Sequence, residues 1–222
     1  MKRAALFDLD GVLADSHHAF RLTLAGFATF HLGRRITIAD LPTDVAIAPR
    51  DHVLAALGVT EPLDEEGWDA ATATATLTAR VFPYVVPVLT ELRAAGWATG
   101  IVTARTQRRV PWLLGDDIRS LMDVIICSDE APLKPAPDGI FLALDRLAVP
   151  PDQAVFIGDM RADVLAGQAA GVHTIGAGWG FTPPEQLADA GADLVLNDPG
   201  QLVPTLLKWA DAGQPTGHRK RS

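Results

Sequence analysis

The stretch Ala4-Ala5-Leu6-Phe7-Asp8-Leu9-Asp10-Gly11-Val12-Leu13 decides the fold. Ala4 to Phe7 are apolar and predict a short buried strand, which two carboxylates and a glycine follow directly. On an extended backbone, residues two apart point to the same side. Asp8 and Asp10 are therefore expected to face one site at the carboxyl end of that strand, where open α/β sheets bind ligands. Two acids this close repel each other unless a cation or a shared proton intervenes. A hard, oxygen-loving cation such as magnesium is the usual solution.

Outward from this strand, the chain has two characters. Asp15-Ser16 reads as a helix start, with Ala19, Leu22, Phe27 and Phe30 at roughly helical spacing. Residues 51–57 read as a second helix ending at Gly58, and 64–81 as a third that contains the Ala/Thr tract of residues 70–76. No strand pattern stands out between residues 16 and 82. Pro83 and Pro87 mark a change. After them, strands at 98–102, 124–126, 154–157, 172–175 and 194–196 alternate with helices at 88–95, 107–114, 137–147, 162–170, 184–190 and 201–210. This succession predicts an α/β fold, a doubly wound, mainly parallel, Rossmann-like sheet with helices on both faces. Residues 1–14 and 83–210 form the core domain in this reading. Residues 15–82 form an inserted helical cap, and 211–222 a polar, disordered tail whose Arg219-Lys220-Arg221 is a solvated end.

Composition narrows the function. A chain of 222 residues, 48% hydrophobic and 21% charged, has room for a core domain and a smaller one. A net charge of −8 argues against a general nucleic-acid binder, whose footprint is basic. The single cysteine, Cys127, excludes an internal disulfide framework and a cysteine-cluster metal site, and reads as a small buried apolar residue. Met1-Lys2-Arg3 is basic, but the apolar run after it breaks at Asp8, unlike a signal peptide. No apolar run approaches the roughly 20 residues that span a bilayer. The expectation is a cytoplasmic protein that binds neither nucleic acid nor membrane.

Other strand ends carry polar residues of complementary kinds. Thr103 follows Gly100-Ile101-Val102, and Asp159 follows Gly158 with Asp163 four residues on. Lys134 lies in Leu133-Lys134-Pro135, just before a helix. Singly, each has a plainer reading as a turn residue, helix cap or solvated surface lysine. Jointly, on a parallel sheet, they converge on one edge. They supply a nucleophile, a second acid, a hydroxyl, a cation and metal ligands, an inventory that suits phosphoryl transfer.

Asp8-Leu9-Asp10-Gly11-Val12, Thr103, Lys134 and Gly158-Asp159 with Asp163 together resemble the four motifs of the haloacid dehalogenase superfamily, over roughly residues 4–180. They are most similar to its phosphoglycolate-phosphatase-like branch, with a helical cap after the first motif. The resemblance implies roles. Asp8 is the nucleophile that forms an aspartyl-phosphate, and Asp10 the acid and then the base. Asp8, Asp159 and the Asp10 carbonyl hold magnesium, with Asp163 supporting them directly or through water. Thr103 and the amide of Ala104 bind phosphate oxygens. Lys134, one of four lysines in the chain, sets a compact charge between nucleophile and phosphoryl group. The substrate implied is a small phosphorylated metabolite.

Lesser candidates are His17 and His18 near the cap hinge, Arg50 between two cap helices, and Arg105 just past Thr103. Arg50 is a possible contact for a substrate carboxylate or second phosphate, with an ion pair to Asp51 or another acid the commoner outcome. The cap departs from the phosphoglycolate-phosphatase pattern. A phosphomutase similar to β-phosphoglucomutase would keep the same core residues. A phospho-acceptor signalling module would carry its acceptor on a middle strand. A dehalogenase would not need the acids at 10 and 159, and a phosphonatase would need a cap lysine, which residues 15–82 lack.

Overall fold

In the computed structural model, described for residues 2–42, 45, 50–62 and 64–211, the opening strand is central. Strand β1 (Arg3–Phe7) lies between β4 (Trp97–Val102) and β6 (Ala154–Gly158). Strand β5 (Val124–Ile126) extends one side, and β7 (His173–Ala177) and β8 (Leu194–Leu196) the other. All pairings among these six strands are parallel, in the order β5-β4-β1-β6-β7-β8. The chain therefore steps from β1 to one side and later returns to the other. A topological switch point lies beside β1, and such points open a crevice at the carboxyl ends of the strands. Register keeps those ends level, since Phe7 pairs with both Ile101 and Ile157.

Alternation in β1 explains why both faces are covered. Ala5 and Phe7 join Val85, Leu89 and Leu92 of α4 (Val85–Ala94) and Leu202 and Leu206 of α9 (Leu202–Asp211) in one apolar layer. Ala4 and Leu6 join Ile140, Ala143 and Leu147 of α6 (Asp138–Leu147) and Ala166 and Ala170 of α7 (Arg161–Ala170) in the other. Each residue of β1 from Ala4 to Phe7 is fully buried. Short helices α5 (Asp116–Arg119) and α8 (Pro184–Asp189) complete the connections.

After β1 the chain passes through β2 (Ala14–Asp15) into α1 (His17–Leu32), α2 (Arg50–Leu57) and α3 (Glu65–Thr76), and returns through β3 (Arg80–Val81). These three helices share an apolar cluster separate from the two sheet layers, built on Leu24, Phe27, Val53, Leu54 and Trp68. Two arginines after β4 tie this cluster to the sheet. Arg109, buried, pairs with Asp69 and, at 2.9 Å, with Glu65 of α3, while Arg108 meets Asp69 at 3.0 Å.

Several elements differ from expectation. The third helix ends at Thr76 rather than residue 81, because turns at Leu77 and Thr78 lead into β3. β3 pairs antiparallel with β2, Ala14 opposite Val81 and Asp15 opposite Arg80. The stretch read as strand-free thus contains one. Residues 107–114 form a single 3-10 turn, Val110–Trp112, not an α-helix, because Pro111 has no N–H to donate. Of the expected disordered tail, residues 212–222 lie outside the described residues. No helix among the described residues is long and apolar enough to cross a membrane.

The arginine tie has a measurable strength. A double-mutant cycle of Arg109→Met and Asp69→Asn, read by chemical denaturation, is expected to give a coupling energy of about 0.5–3 kcal/mol. A value near zero would mean that the Arg109–Asp69 pair does not help to hold the helical layer on the sheet.

Candidate active site

Regular strand structure ends at Phe7, one residue before the first acid. The chain then bends at Leu9, which drops its side chain into the core, and turns at Gly11, where φ is +82°. The carbonyl of Val12 holds this turn, accepting hydrogen bonds from the Tyr84 hydroxyl and, at 3.3 Å, from the Trp179 indole N–H. Asp8 and Asp10 thus reach one cavity by a bend, not by strand alternation.

Four of the expected residues meet in one buried knot. The ammonium of Lys134 donates to Asp8 Oδ1 at 2.8 Å, to Asp163 Oδ1 at 2.6 Å and to the Val102 carbonyl at 3.1 Å. An ammonium has three protons, so Lys134 has none left for another acceptor in this arrangement. The other Asp163 oxygen accepts the backbone N–H groups of Asp159 and Met160, at 3.1 and 2.9 Å. Asp163 is therefore both the first-turn acid of α7 and a brace for the loop that carries Asp159. Asp159 is fully buried: one oxygen accepts the Phe181 N–H at 2.7 Å, and Oδ1 has no partner.

This knot shifts the acids in opposite directions. Burial pushes Asp8 up to about 7; Asp163 and Asp10 add to the rise, and Lys134 opposes it. Burial, with the charges of Asp163 and Asp8, puts Asp159 well above the usual carboxylate range. Burial would also raise Asp10, but the charge and hydrogen bonds of Arg105 outweigh it and hold Asp10 low. Lys134, which burial alone would lower, is held above the ordinary lysine range by Asp163 and Asp8.

The carboxylates of Asp8, Asp159 and Asp163 each offer an oxygen within 4.8 Å of the others. An all-oxygen donor set with one orphaned, fully buried carboxylate oxygen fits a hard divalent cation. Two glycines keep the space open. A Cβ on Gly11 or on Gly180 would collide with the Asp159 side chain.

A cavity of about 290 Å³ lies in front of Asp8 and Asp10. Ala104 and Arg105 line it from the sheet side, and Phe20 and Trp68 from the helical layer. Arg105 grips Asp10 with two bonds of 2.8 Å, an arrangement that spacing alone did not reveal. Thr103 is buried, and its hydroxyl accepts the Arg105 N–H at 3.1 Å. Arg50 reaches the cavity wall over the Trp68 ring, but it also lies 3.4 Å from both Asp51 and Glu65. His17 packs its ring on Phe181 at 5.1 Å and is not among the residues lining the cavity. Arg109, which borders the cavity and pairs with α3, had no distinguishing sequence signal.

Comparison with known proteins agrees with this geometry. A family model described as haloacid dehalogenase-like hydrolase matches residues 2–171. N-acetylmuramic acid 6-phosphate phosphatase of Pseudomonas aeruginosa is 29% identical over 92% of this chain and 94% of its own. Phosphoglycolate phosphatase of Yersinia pseudotuberculosis is 30% identical over 92% and 93%. A solved structure from Bacteroides fragilis, assigned as a haloacid dehalogenase-like hydrolase, superposes with a TM-score of 0.77 at 25% identity. That superposition covers 91% of this chain and 100% of the other.

The raised acids bear on stability. Without a cation, the folded protein holds protons on Asp8 and Asp159 at pH values where the unfolded chain has lost them. Their contribution is complete below the ordinary carboxylate range and is lost as pH rises through about 7 for Asp8. Above neutral pH, Asp159→Asn is expected to raise the Tm of the cation-free protein by about 2–4 °C for each kcal/mol of relieved repulsion. A divalent cation held by Asp8, Asp159 and Asp163 would raise the Tm of the parent protein, and Asp159→Asn is expected to remove a magnesium-dependent increase. A magnesium-dependent increase that survives in Asp159→Asn would place the cation elsewhere.

Proposed function

The chain belongs to the haloacid dehalogenase-like hydrolases, and from that premise we propose that it is a magnesium-dependent phosphatase acting on a small phosphorylated metabolite through a phospho-Asp8 intermediate. The observation that carries this reading is the Lys134 ammonium 2.8 Å from Asp8, a residue that lines the same cavity as Asp10. The names of the relatives favour hydrolysis of a phosphate monoester.

Magnesium, held by Asp8, Asp159 and the Asp10 carbonyl with support from Asp163, would neutralise phosphate charge. The rest falls to the side chains. Lys134 opposes the rise that burial imposes on Asp8 and aims its carboxylate, so that the Asp8 oxygen bonds to phosphorus as the ester P–O bond breaks. Asp10 gives a proton to the departing alcohol oxygen. Before that step Arg105, which holds Asp10 ionised in the resting site, is drawn toward the incoming phosphate dianion, and the released Asp10 takes up this proton from solvent. In the second half, Asp10 removes a proton from water while the water oxygen bonds to phosphorus and the Asp8–phosphorus bond breaks. Orthophosphate leaves. Thr103 and the Ala104 amide bind phosphate oxygens, and Phe20 and Trp68 exclude bulk water during transfer.

Hydrolysis of p-nitrophenyl phosphate with magnesium tests this reading. Asp8→Asn is expected to abolish turnover, and Asp10→Asn to reduce it by about 10²–10⁴-fold. The product must be free phosphate. Isomerised sugar phosphate from a sugar ester would assign the chain to the mutases instead, and a long-lived phosphoprotein without turnover to a signalling role.

A further inference from the structure

The Ala/Thr tract of α3 places two hydroxyls where helix formation does not need them. Thr72 and Thr76 stand one turn apart on the face of α3 that lines the cavity. Both hydroxyl oxygens are buried and have no hydrogen-bond partner, and Thr76 is only 5% exposed. Other threonines of these helices do find one. Thr23 bonds the Ala19 carbonyl at 3.0 Å, and Thr74 the Ala70 carbonyl at 3.3 Å, the usual bond back along the helix. A buried hydroxyl without a partner costs stability, and valine in the same space would not carry that cost. The two hydroxyls therefore point to a ligand that supplies the missing partners.

We propose that Thr72 and Thr76 are specificity residues that bind hydroxyl groups of the leaving alcohol, so that the substrate is the phosphate ester of a sugar or sugar alcohol. This rests on the phosphatase reading given above. The remaining wall agrees. Phe20 and Phe181 give it flat apolar surface, suited to the C–H face of a sugar ring, while a few placed polar groups fix orientation. A volume of about 290 Å³ is at the small end of ligand pockets and suits a single sugar, not a nucleotide pair or a polymer. A short acid such as glycolate would leave both threonines without partners.

The test compares kcat/KM for a panel of pentose, hexose and polyol phosphates with that for cyclohexylmethyl phosphate, a ring of similar shape without hydroxyls, and for 2-phosphoglycolate. The parent protein should prefer at least one hydroxylated ester to both. In Thr72→Val/Thr76→Val that preference over cyclohexylmethyl phosphate should fall by about 10–100-fold, as for a hydrogen-bonding site stripped of its partners. Thr72→Ser/Thr76→Ser, which keeps both hydroxyls, should retain it. A preference unchanged by the valine pair, or a parent protein that favours 2-phosphoglycolate, overturns the proposal while leaving the phosphatase reading intact. If no ester, p-nitrophenyl phosphate included, is hydrolysed with magnesium, the phosphatase reading itself fails.

Discussion

One ammonium group organises this molecule. Lys134 is buried with its three protons committed to Asp8, Asp163 and the Val102 carbonyl. These partners come from the ends of three strands or the helix start beyond one of them. Burying several carboxylates together is costly, and one positive charge among them offsets part of the repulsion. What Lys134 leaves uncompensated is Asp159, whose free oxygen and raised affinity for protons mark the place where a second positive charge belongs. The crowding that weakens the cation-free fold is also what gives these carboxylates a donor set suited to a hard cation.

The sheet makes this crowding possible. Because β1 is flanked by β4 and β6 with their ends level, the first residues beyond each strand arrive at one crevice. The helical layer then closes that crevice from above. Its attachment is polar at one edge, through Arg109, Asp69 and Glu65, and covalent at the other, through the paired β2 and β3. In the proposed function the leaving group meets residues of this layer, and the phosphate meets residues at the sheet. That division lets the leaving group vary while the reacting centre stays fixed.

Much of this was legible in the sequence. Strands such as Ala4–Phe7 and Ala154–Ile157 are apolar runs ended by polar residues, and helices such as α6 and α7 carry clear periodicity, so the parallel sheet and the convergence of its strand ends on one edge followed, though not the strand order. Asp8 and Asp159 could be read together with Asp163 and Lys134 because the first two follow strands, Asp163 lies in the first turn of a helix and Lys134 precedes one. What failed was short or long-range. β2 and β3 have two residues each, too few for any pattern. The 107–114 stretch has apolar spacing, but Pro111 interrupts it. The Arg105–Asp10 grip joins residues 95 apart in sequence, and no local rule anticipates it. The alanines and threonines of α3 look like a weak helix until the cavity shows which hydroxyls face it.

The most direct measurement is chemical trapping of the intermediate. Reaction with substrate and magnesium, quenching with borohydride and peptide mass spectrometry would locate the phosphorylated carboxyl group, since an aspartyl-phosphate is reduced to homoserine. The account predicts homoserine at residue 8 and at no other acid, in an amount that follows the steady-state intermediate. Turnover without any modification of Asp8, or with modification of Asp10 or Asp159 instead, would contradict it.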